Sequence, residues 1–283
     1  MSLVEQAIAR MRKQAPAAAP AAPSPSVEPL RGPAPKSAKR MTLNMDALRT
    51  RGYLPEAATD RQFADHYRRI KQPLIDRAFS GGEGIGEPLV IMITSALPGD
   101  GKTFTSINLA LSMALERDFS VLLIDCDVAK RQVSDVVGLR EETGLLNALV
   151  DDALDVESLI VQTDLRGLSI LPAGRRVEAA AELLSSNRMQ QIVANLSKRD
   201  PSRILLLDSP PLLITNEGRT LVKMARQIVL VVRAGYTPRQ AVQEALGLFD
   251  PQQAGGIILN ELQVSRLEGY YGYDSYGTTG DAT

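Results

Sequence analysis

From residue 88 onward, short runs of consecutive apolar residues alternate with longer stretches whose apolar positions recur at helical spacing. Strands that are apolar on both faces indicate a parallel sheet covered on both sides by helices. The predicted strands are 89–94, 121–125, 168–171, 204–208, 228–232 and 256–259. The helices predicted between them include 102–117, 188–198 and 239–248. The pattern therefore predicts a doubly wound α/β domain with a mainly parallel sheet over residues 81–264.

The first 40 residues differ from the rest of the chain. Seven of the 17 prolines lie between Pro16 and Pro35, interleaved with alanines, and such a segment has too little apolar surface to offset the entropy of ordering it. We therefore expect a disordered linker over residues 14–40. Residues 1–13 place apolar side chains on one face of a short amphipathic helix, which either frays or docks on a partner or a membrane surface.

Residues 41–80 are predicted to be a second helical region. Its apolar residues at helical spacing are Phe63, Tyr67, Ile70 and Leu74. This face should pack against another element, and Pro73 is expected to kink or break the helix. Four glycines between residues 81 and 86 predict a flexible hinge before the sheet. At the other end of the chain, residues 265–283 are polar and rich in glycine and tyrosine, so we expect a flexible tail.

Composition and charge exclude several classes of protein. Hydrophobic residues make up 44% of the chain and charged residues 23%, as in ordinary globular domains, and the net charge of −1 provides no field for nucleic acid. A single cysteine, Cys126, rules out an internal disulfide, and a single histidine, His66, rules out a multi-histidine metal site. No apolar run approaches the roughly 18 residues of a membrane helix. We therefore expect a cytoplasmic protein without an integral membrane segment.

A glycine-rich loop follows the first of these predicted strands. Residues 96–103 read ALPGDGKT, which fits the P-loop pattern of a small residue, four variable positions and Gly-Lys-Thr. Gly99 and Gly101 allow backbone N–H groups to converge on phosphate oxygens, and the helix that begins at Lys102 adds its positive dipole end. Lys102 is then expected to bridge the β- and γ-phosphates, and Thr103 to bind Mg²⁺. The other residues of this candidate nucleotide-binding loop are Pro98, Asp100 and Phe104.

Two further strands end in acidic residues. The run 121–124 is followed by Asp125 and Asp127, 23 and 25 residues after Lys102, and the run 204–207 is followed by Asp208 and then Ser-Pro-Pro. One helix and one strand fit the first gap, so Asp125 is expected beside the P-loop at the carboxyl end of the sheet. Asp208 has the Walker B arrangement, which holds Mg²⁺, usually through water. These motifs predict a fold of the P-loop NTPase type.

With these three motifs the sequence resembles the bacterial tyrosine kinases that accompany polysaccharide export systems. That family has a P-loop, a Walker A′ motif in which D-x-D follows a hydrophobic run, and a Walker B motif that ends D-x-P-P, and all three occur here in that order. The resemblance is closest to the tyrosine autokinases of exosortase-associated exopolysaccharide loci. It is carried there by residues 1–8 (MSLVEQAI), by the Pro/Ala-rich linker and by residues 67–74 (YRRIKQPL).

The resemblance implies an ATP- and Mg²⁺-dependent protein-tyrosine kinase. By this resemblance Lys102, Asp125 and Asp127 are catalytic, with Asp125 the candidate to orient or deprotonate the acceptor tyrosine. Thr103, Asp125 and Asp208 are the implied metal-site residues. A tyrosine hydroxyl has a pKa of about 10, so a neighbouring carboxylate or metal ion is needed to polarise it.

Two other positions are carried over from the family less directly. Asn260, at the end of the last predicted strand, matches a position expected near the adenine. The family often has arginines soon after D-x-D, whereas this chain has Lys130 and Arg131 after an alanine. Which of these two basic side chains reaches phosphate stays open.

The helix predicted within residues 41–80 matches a family motif that mediates ring formation between subunits. The family pattern is E-x-x-R-x-x-R, and the matching residues here are Asp65, Arg68 and Lys71. Their spacing places all three on one face of the helix. The alternative is a simple intrahelical pair between Asp65 and Arg68, worth about 0.2–0.5 kcal/mol.

Four of the seven tyrosines fall in the last 14 residues of the sequence. They are Tyr270, Tyr271, Tyr273 and Tyr276. Packing does not readily explain four aromatic rings on a glycine-rich tail, and they are suited to enter a kinase site as phosphoacceptors. Ten residues separate Asn260 from Tyr270, a reach of about 36 Å at most. Because the chain's own site lies so near, the site of a neighbouring subunit in a ring is easier to reach, and we expect phosphorylation in trans.

The resulting expectation is an autokinase that regulates exopolysaccharide synthesis or export. It would act at the inner face of the membrane through a membrane-embedded chain-length regulator. One alternative is a partitioning or site-selection ATPase of the same fold, which carries an extra lysine near the start of the P-loop where this chain has Leu97. A second alternative is a nucleotide-binding adaptor without kinase activity, against which the intact Lys102 and the three aspartates argue.

Overall fold

An eight-stranded sheet forms the centre of the computed structural model, which describes residues 39–55, 60–79 and 88–261. Its strands are β1 (Lys39–Met41), β2 (Val90–Ser95), β3 (Ser120–Asp125), β4 (Val161–Thr163), β5 (Leu168–Leu171), β6 (Arg203–Asp208), β7 (Gln227–Arg233) and β8 (Ala254–Asn260). The strand order is β1-β4-β5-β3-β6-β2-β7-β8, and every neighbouring pair is parallel except β4 with β5. The predicted doubly wound, mainly parallel sheet is confirmed.

Nine α-helices accompany the sheet within the described ranges. They are α1 (Met45–Thr50), α2 (Asp60–Phe79), α3 (Lys102–Met113), α4 (Gln132–Val136), α5 (Leu145–Val150), α6 (Ala180–Leu184), α7 (Asn187–Arg199), α8 (Asn216–Val222) and α9 (Arg239–Leu246). Two 3₁₀ helices cover Val156–Leu159 and Pro251–Gln253. No helix in this part of the chain is long and apolar enough to cross a membrane.

The core lies on both faces of the sheet, because each central strand contains four consecutive apolar residues. In β6, Leu205 and Leu207 belong to one buried cluster, whereas Ile204 and Leu206 belong to the other. Successive side chains of a strand point to opposite faces, so one continuous apolar run supplies both layers. This arrangement brings the ends of β2, β3 and β6 together in the interior of the molecule.

The segment before the hinge belongs to the same domain as the sheet. Strand β1 pairs in parallel with β4, and Tyr67 and Leu74 of α2 are buried in the cluster that also holds Leu109 and Met113 of α3. The predicted boundary at residue 81 is therefore wrong for the fold, since this sheet begins at Lys39. Strand β1 also takes in the last two residues of the predicted linker. Three paired residues are too short a run to be visible in a proline-rich surrounding sequence.

Helix α2 continues through Pro73, contrary to the predicted kink or break. It runs without interruption over Asp60–Phe79, and Pro73 lies on its exposed side. A proline removes one backbone donor and frees one carbonyl, and a carbonyl on the solvent side can bond to water. The buried face, which includes Leu74 and Ala78, keeps its packing and holds the helix together. The predictions for residues 1–13, for 14–38, for the glycine run and for the tail lie outside the described residues.

Candidate functional site

The P-loop joins β2 to α3 and depends on glycine at two positions. Gly99 has φ of 89° and Gly101 has φ of 96°, both in the left-handed region that side chains other than glycine rarely adopt. A Cβ on Gly101 would lie 2.0 Å from Nδ2 of Asn260. That amide donates to the backbone oxygen of Asp100 over 3.0 Å, so the end of β8 closes directly over the loop.

Asp100 and Pro98 occupy different positions in this loop. The Asp100 carboxylate is fully buried and accepts from the Leu97 N–H over 3.2 Å and from the Thr237 hydroxyl over 2.7 Å. These two hydrogen bonds stabilise the loop from its buried side. Pro98 and Gly99 form the exposed tip.

Lys102 and Thr103 begin α3 and are almost completely buried. Burial lowers the pKa of Lys102, and the nearby charge of Asp208 opposes that effect. The Thr103 hydroxyl donates to Oδ2 of Asp208 over 2.9 Å, and Ser106 donates to Oδ1 over 2.8 Å. Ser106 was not predicted as a site residue, although it follows Thr103 by three residues and therefore shares its helix face.

Asp125 and Asp208 stand opposite each other in register at the ends of β3 and β6. Burial raises the pKa of Asp125 to about 7, and the negative charge of Asp208 adds to the increase. Burial also raises the pKa of Asp208 to about 6, against the lowering effect of Lys102. Two carboxylates in one water-poor site favour protonation in the absence of further positive charge. The predicted meeting of Walker A′ and Walker B is present.

Helix α4 holds Asp125 in position. Oδ2 of Asp125 accepts from both the backbone N–H of Ser134, over 2.8 Å, and its hydroxyl, over 2.6 Å. The Ser134 hydroxyl in turn accepts from the Ala173 N–H over 2.9 Å. The other carboxylate oxygen, Oδ1, is buried and has no hydrogen-bond partner among the described residues. One oxygen of the carboxylate is therefore fixed by Ser134, and the other is left without a hydrogen bond in this part of the chain.

The two basic residues after the D-x-D motif point in opposite directions. Arg131 has φ of 53° and turns its side chain inwards, where it donates to the backbone oxygens of Gly174 and Arg140 over 3.3 and 3.4 Å. Lys130 is exposed and lines the cavity in front of the P-loop. Lys130 is therefore the basic side chain of this pair that faces the candidate site. Asp127 is buried at the start of the same turn, and its Oδ1 accepts from the Lys130 N–H.

A cavity of about 510 Å³ opens in front of these groups. Its lining residues are Arg51, Gly52, Tyr53, Gly99, Gly101, Lys102, Thr103, Phe104, Lys130, Gln132, Asn260 and Glu261. Phe104 and Asn260, predicted as nucleotide contacts, thus both reach it. The wall that contains Tyr53 was not predicted. The Tyr53 hydroxyl accepts a hydrogen bond from Nε2 of Gln132 over 2.5 Å. Tyr53 lies in a turn far from the P-loop in sequence and belongs to no recognisable motif, so sequence patterns do not identify it.

The residues around this cavity fit a magnesium nucleotide. The loop has no room for a side chain at Gly101, and Lys102 presents a buried cation. The free oxygen of Asp125 is an unused acceptor among the described residues. Across the part of the chain that the structure describes, no group of three or more His, Cys, Asp or Glu side chains could hold a metal ion by itself. Mg²⁺ commonly takes one or two protein ligands and completes its shell with phosphate oxygens and water, which agrees with this set.

The three residues of the predicted interface motif do not share an exposed face. Asp65 and Arg68 have exposed side chains, and Arg68 contacts Asp65 over 3.4 Å. Lys71 is turned inwards: its side chain is only 6% exposed, pairs with Glu116 over 2.6 Å and donates to the Ser112 backbone oxygen over 2.8 Å. The placement of Lys71 on the interface face is wrong, because its ammonium fastens α2 to α3 within the chain.

The predicted phosphoacceptors lie outside the described residues. They are Tyr270, Tyr271, Tyr273 and Tyr276. The chain leaves the sheet at Asn260, beside the P-loop, as the sequence analysis expected.

Comparisons with known proteins agree with the motifs. A protein-family model described as an AAA domain matches residues 89–249. Tyrosine-protein kinase YwqD of Bacillus subtilis is 32% identical over 186 residues, which cover 64% of this chain and 77% of that protein. Tyrosine-protein kinase wzc of Salmonella typhimurium is 30% identical over 197 residues, 68% of this chain. The match spans only 27% of that much longer protein.

Solved structures show the same relationship. The kinase domain of VpsO, at 30% identity, superposes with a TM-score of 0.56 and covers 70% of this chain and 98% of that one. The kinase domain of the Escherichia coli tyrosine kinase ETK, at 22% identity, shares the fold with a TM-score of 0.58 over 73% of this chain and 80% of its own. The similarity to YwqD, at 32% identity over 77% of that protein, shows that this chain belongs to the bacterial tyrosine kinases, and it has their P-loop NTPase-like fold.

Proposed function

We propose that this protein is an ATP- and Mg²⁺-dependent protein-tyrosine autokinase. It phosphorylates its own C-terminal tyrosine cluster in trans and regulates exopolysaccharide synthesis or export. The observation that carries the proposal is the geometry of the site: Lys102 lines the cavity, and Asp125 and Asp208 are buried at paired strand ends beside the P-loop. One oxygen of Asp125 has no hydrogen-bond partner among the described residues. A protein that binds nucleotide without transferring a phosphoryl group does not require a base at this position.

Each residue has a distinct role in this proposal. The P-loop N–H groups and Lys102 hold the β- and γ-phosphates and neutralise the charge that develops on them. The hydroxyl of Thr103, backed by Asp208, is the protein ligand for Mg²⁺, which when bound neutralises phosphate charge. Asp127 lies beside Asp125 and adds to the negative potential around the metal ion.

Asp125 acts on the acceptor. The tyrosine oxygen forms a bond to the γ-phosphorus, the bond from that phosphorus to the bridging oxygen breaks, and ADP leaves. The phenolic proton passes to Oδ1 of Asp125, while Ser134 fixes the other oxygen. Burial raises the pKa of Asp125 in the chain alone, which makes this carboxylate a stronger base than an ordinary aspartate. Asn260 closes the cavity on the side where we propose that the adenine binds.

The alternative functions are less well supported by the site. In a partitioning or site-selection ATPase the signature lysine would stand at Leu97, whose backbone here is fixed by Ser95 and Asp100. An adaptor that only binds nucleotide would not need a carboxylate that Ser134 holds by one oxygen while the other oxygen has no partner among the described residues. The proposed partner is a membrane-embedded chain-length regulator that activates the kinase, with the chain assembled as a homo-oligomeric ring. No nucleic acid takes part in this proposal.

Mixing two variants tests the proposal. The first carries Lys102→Met and keeps the tail tyrosines, and the second has an intact site but phenylalanine at positions 270, 271, 273 and 276. After incubation with radiolabelled ATP, phosphotyrosine should appear on the Lys102→Met chain, and neither variant should become labelled alone. Labelling of the wild type combined with no labelling in the mixture would restrict transfer to a single chain. No labelling of the wild type under any condition would remove the kinase proposal.

A further inference from the structure

Two neighbouring loops at the carboxyl end of the sheet are basic. The first follows β3 and carries Lys130, and the second follows β5 and carries Arg175 and Arg176. All three side chains are exposed, and Nη2 of Arg176 donates to the Ala129 backbone oxygen over 3.2 Å, next to Lys130. We call Lys130, Arg175 and Arg176 the basic rim. Among the described residues, none of the three has an ion-pair partner.

The basic rim is built into the fold. Arg131 lies beneath it and joins the two loops by donating to the Gly174 backbone oxygen. The Arg175 N–H donates to the Asn147 side-chain oxygen over 3.2 Å, which fixes the second loop to α5. Glu178, two residues further on, is exposed and leaves the rim with an excess of positive charge. Anchored loops therefore present these cations at fixed positions.

The basic rim lies on the side of the site where an acceptor would approach. In the sheet order, β3 and β5 lie on one side of β2, and β8 with Asn260 lies on the other. Lys130 lines the same cavity as the P-loop. An acceptor that enters between the rim and the P-loop would meet Asp125 and Asp127, whereas a nucleotide base would lie towards Asn260.

From this arrangement we propose that the basic rim recognises an acidic, tyrosine-bearing peptide, namely the segment 267–281 of a second copy of this chain. This inference rests on the proposed kinase function. The segment contains Glu268, Asp274 and Asp281, and no lysine or arginine. Three buried carboxylates in the site would repel such a segment. Lys130 at the cavity and the two arginines of the neighbouring loop offset that repulsion and hold the tyrosines near the phosphates.

Free peptide substrates test acceptor recognition by the basic rim without requiring the chain to assemble into a homo-oligomeric ring. The enzyme is the full chain with phenylalanine at the four tail tyrosines, kept dilute so that a ring does not form. The acidic peptide has the sequence of residues 267–281, and the neutral peptide is the same sequence with its carboxylates replaced by amides. Arg175→Glu with Arg176→Glu should raise KM for the acidic peptide about tenfold (~1.4 kcal/mol) and leave kcat, KM for ATP and KM for the neutral peptide unchanged. The matched control is Arg166→Glu, an exposed arginine before β5 at the opposite end of the sheet, which should change none of these.

Two further measurements keep the result unambiguous. Arg175→Glu alone preserves the contact of Arg176 with Ala129 and should show part of the same effect. Binding of labelled peptides, followed by fluorescence anisotropy, does not depend on phosphoryl transfer, so a loss of kinase activity would not hide a loss of recognition. A peptide with lysine in place of its three carboxylates should bind the doubly substituted variant better than the wild type.

Three outcomes would overturn the inference. Equal changes for the acidic and neutral peptides would mean that the loops act on the fold and not on acceptor charge. A raised KM for ATP would assign these cations to the nucleotide. Unchanged binding in both variants would leave the basic rim without a role in acceptor recognition, even if the chain is an active kinase.

Discussion

Replacing Lys71 should destabilise the fold, whereas replacing Arg68 on the same helix should not. The ammonium of Lys71 lies between the carboxylate of Glu116 and the carbonyl of Ser112 and joins α2 to α3. Arg68 contacts only the exposed Asp65 of its own helix in the described residues. Although three residues apart in one motif, the two side chains therefore have different environments.

The structure sets the size of the difference. A hydrogen bond to a charged group is worth about 1.5–3 kcal/mol, and the partial exposure of Glu116 places the Lys71 contribution near ~2 kcal/mol. In a domain of this size, about 1 kcal/mol shifts Tm by roughly 2–4 °C, so Lys71→Ala should lower Tm by about 4–8 °C. Removing an exposed i,i+3 pair costs about 0.2–0.5 kcal/mol, so Arg68→Ala should lower Tm by less than about 2 °C.

Thermal unfolding followed by circular dichroism, without nucleotide, measures both effects. Lys71→Met serves as a control because it keeps most of the apolar stem and removes the charge. Light scattering on the same samples reports the oligomer mass, which Arg68→Ala should lower if the exposed half of the motif contacts a neighbouring subunit. Equal Tm values for Lys71→Ala and the wild type, together with a lower oligomer mass, would refute the intramolecular role of Lys71.

Four further predictions concern the site. Lys102→Met should abolish phosphoryl transfer and leave the circular dichroism spectrum unchanged; full activity in the folded variant would remove the P-loop from the mechanism. Asp125→Asn should still bind nucleotide in a fluorescence titration but transfer phosphate far more slowly, and unchanged turnover would exclude it as the base. Because the pKa of Asp125 is raised to about 7, the folded chain binds its proton more tightly than the unfolded chain, so stability is lost as pH rises from about 4 to 7. In urea unfolding, Asp125→Asn should therefore lose less stability between pH 5 and pH 8 than the wild type. Gly101→Ala should weaken nucleotide binding, since it combines about 1–2 kcal/mol of backbone strain with a clash against Asn260; adding Asn260→Ala should relieve the clash but not the strain.

The central sheet was predictable from sequence because each of its core strands is an apolar run with a clear end. The six predicted strands appear within one or two residues of their expected bounds. β1 and β4 were missed, since each is a three-residue strand at the margin of the sheet with polar positions among its residues. Such strands owe their pairing to tertiary context and leave almost no periodic signal.

The site was predictable where its residues lie in one motif and not where distant segments meet. Lys102, Asp125 and Asp208 follow directly from strand ends, and the structure brings them together. The inward turn of Arg131 depends on a left-handed backbone and on carbonyls in two other loops, none of which a local pattern encodes. In the same way, Tyr53 is held at the cavity by two residues that are distant in sequence: Asn108 donates to its backbone oxygen and Gln132 to its hydroxyl.

The pairing of β1 with β4 also determines where the chain can be divided. A fragment starting at residue 81 would keep every nucleotide-binding motif. It would lose strand β1, which pairs with β4, helix α2, which packs over Leu109 and Met113, and Tyr53, which lines the cavity. It would expose an open sheet edge and an apolar helix face, both of which promote aggregation. We therefore expect a fragment that starts at Lys39 to be more soluble than one that starts at residue 81.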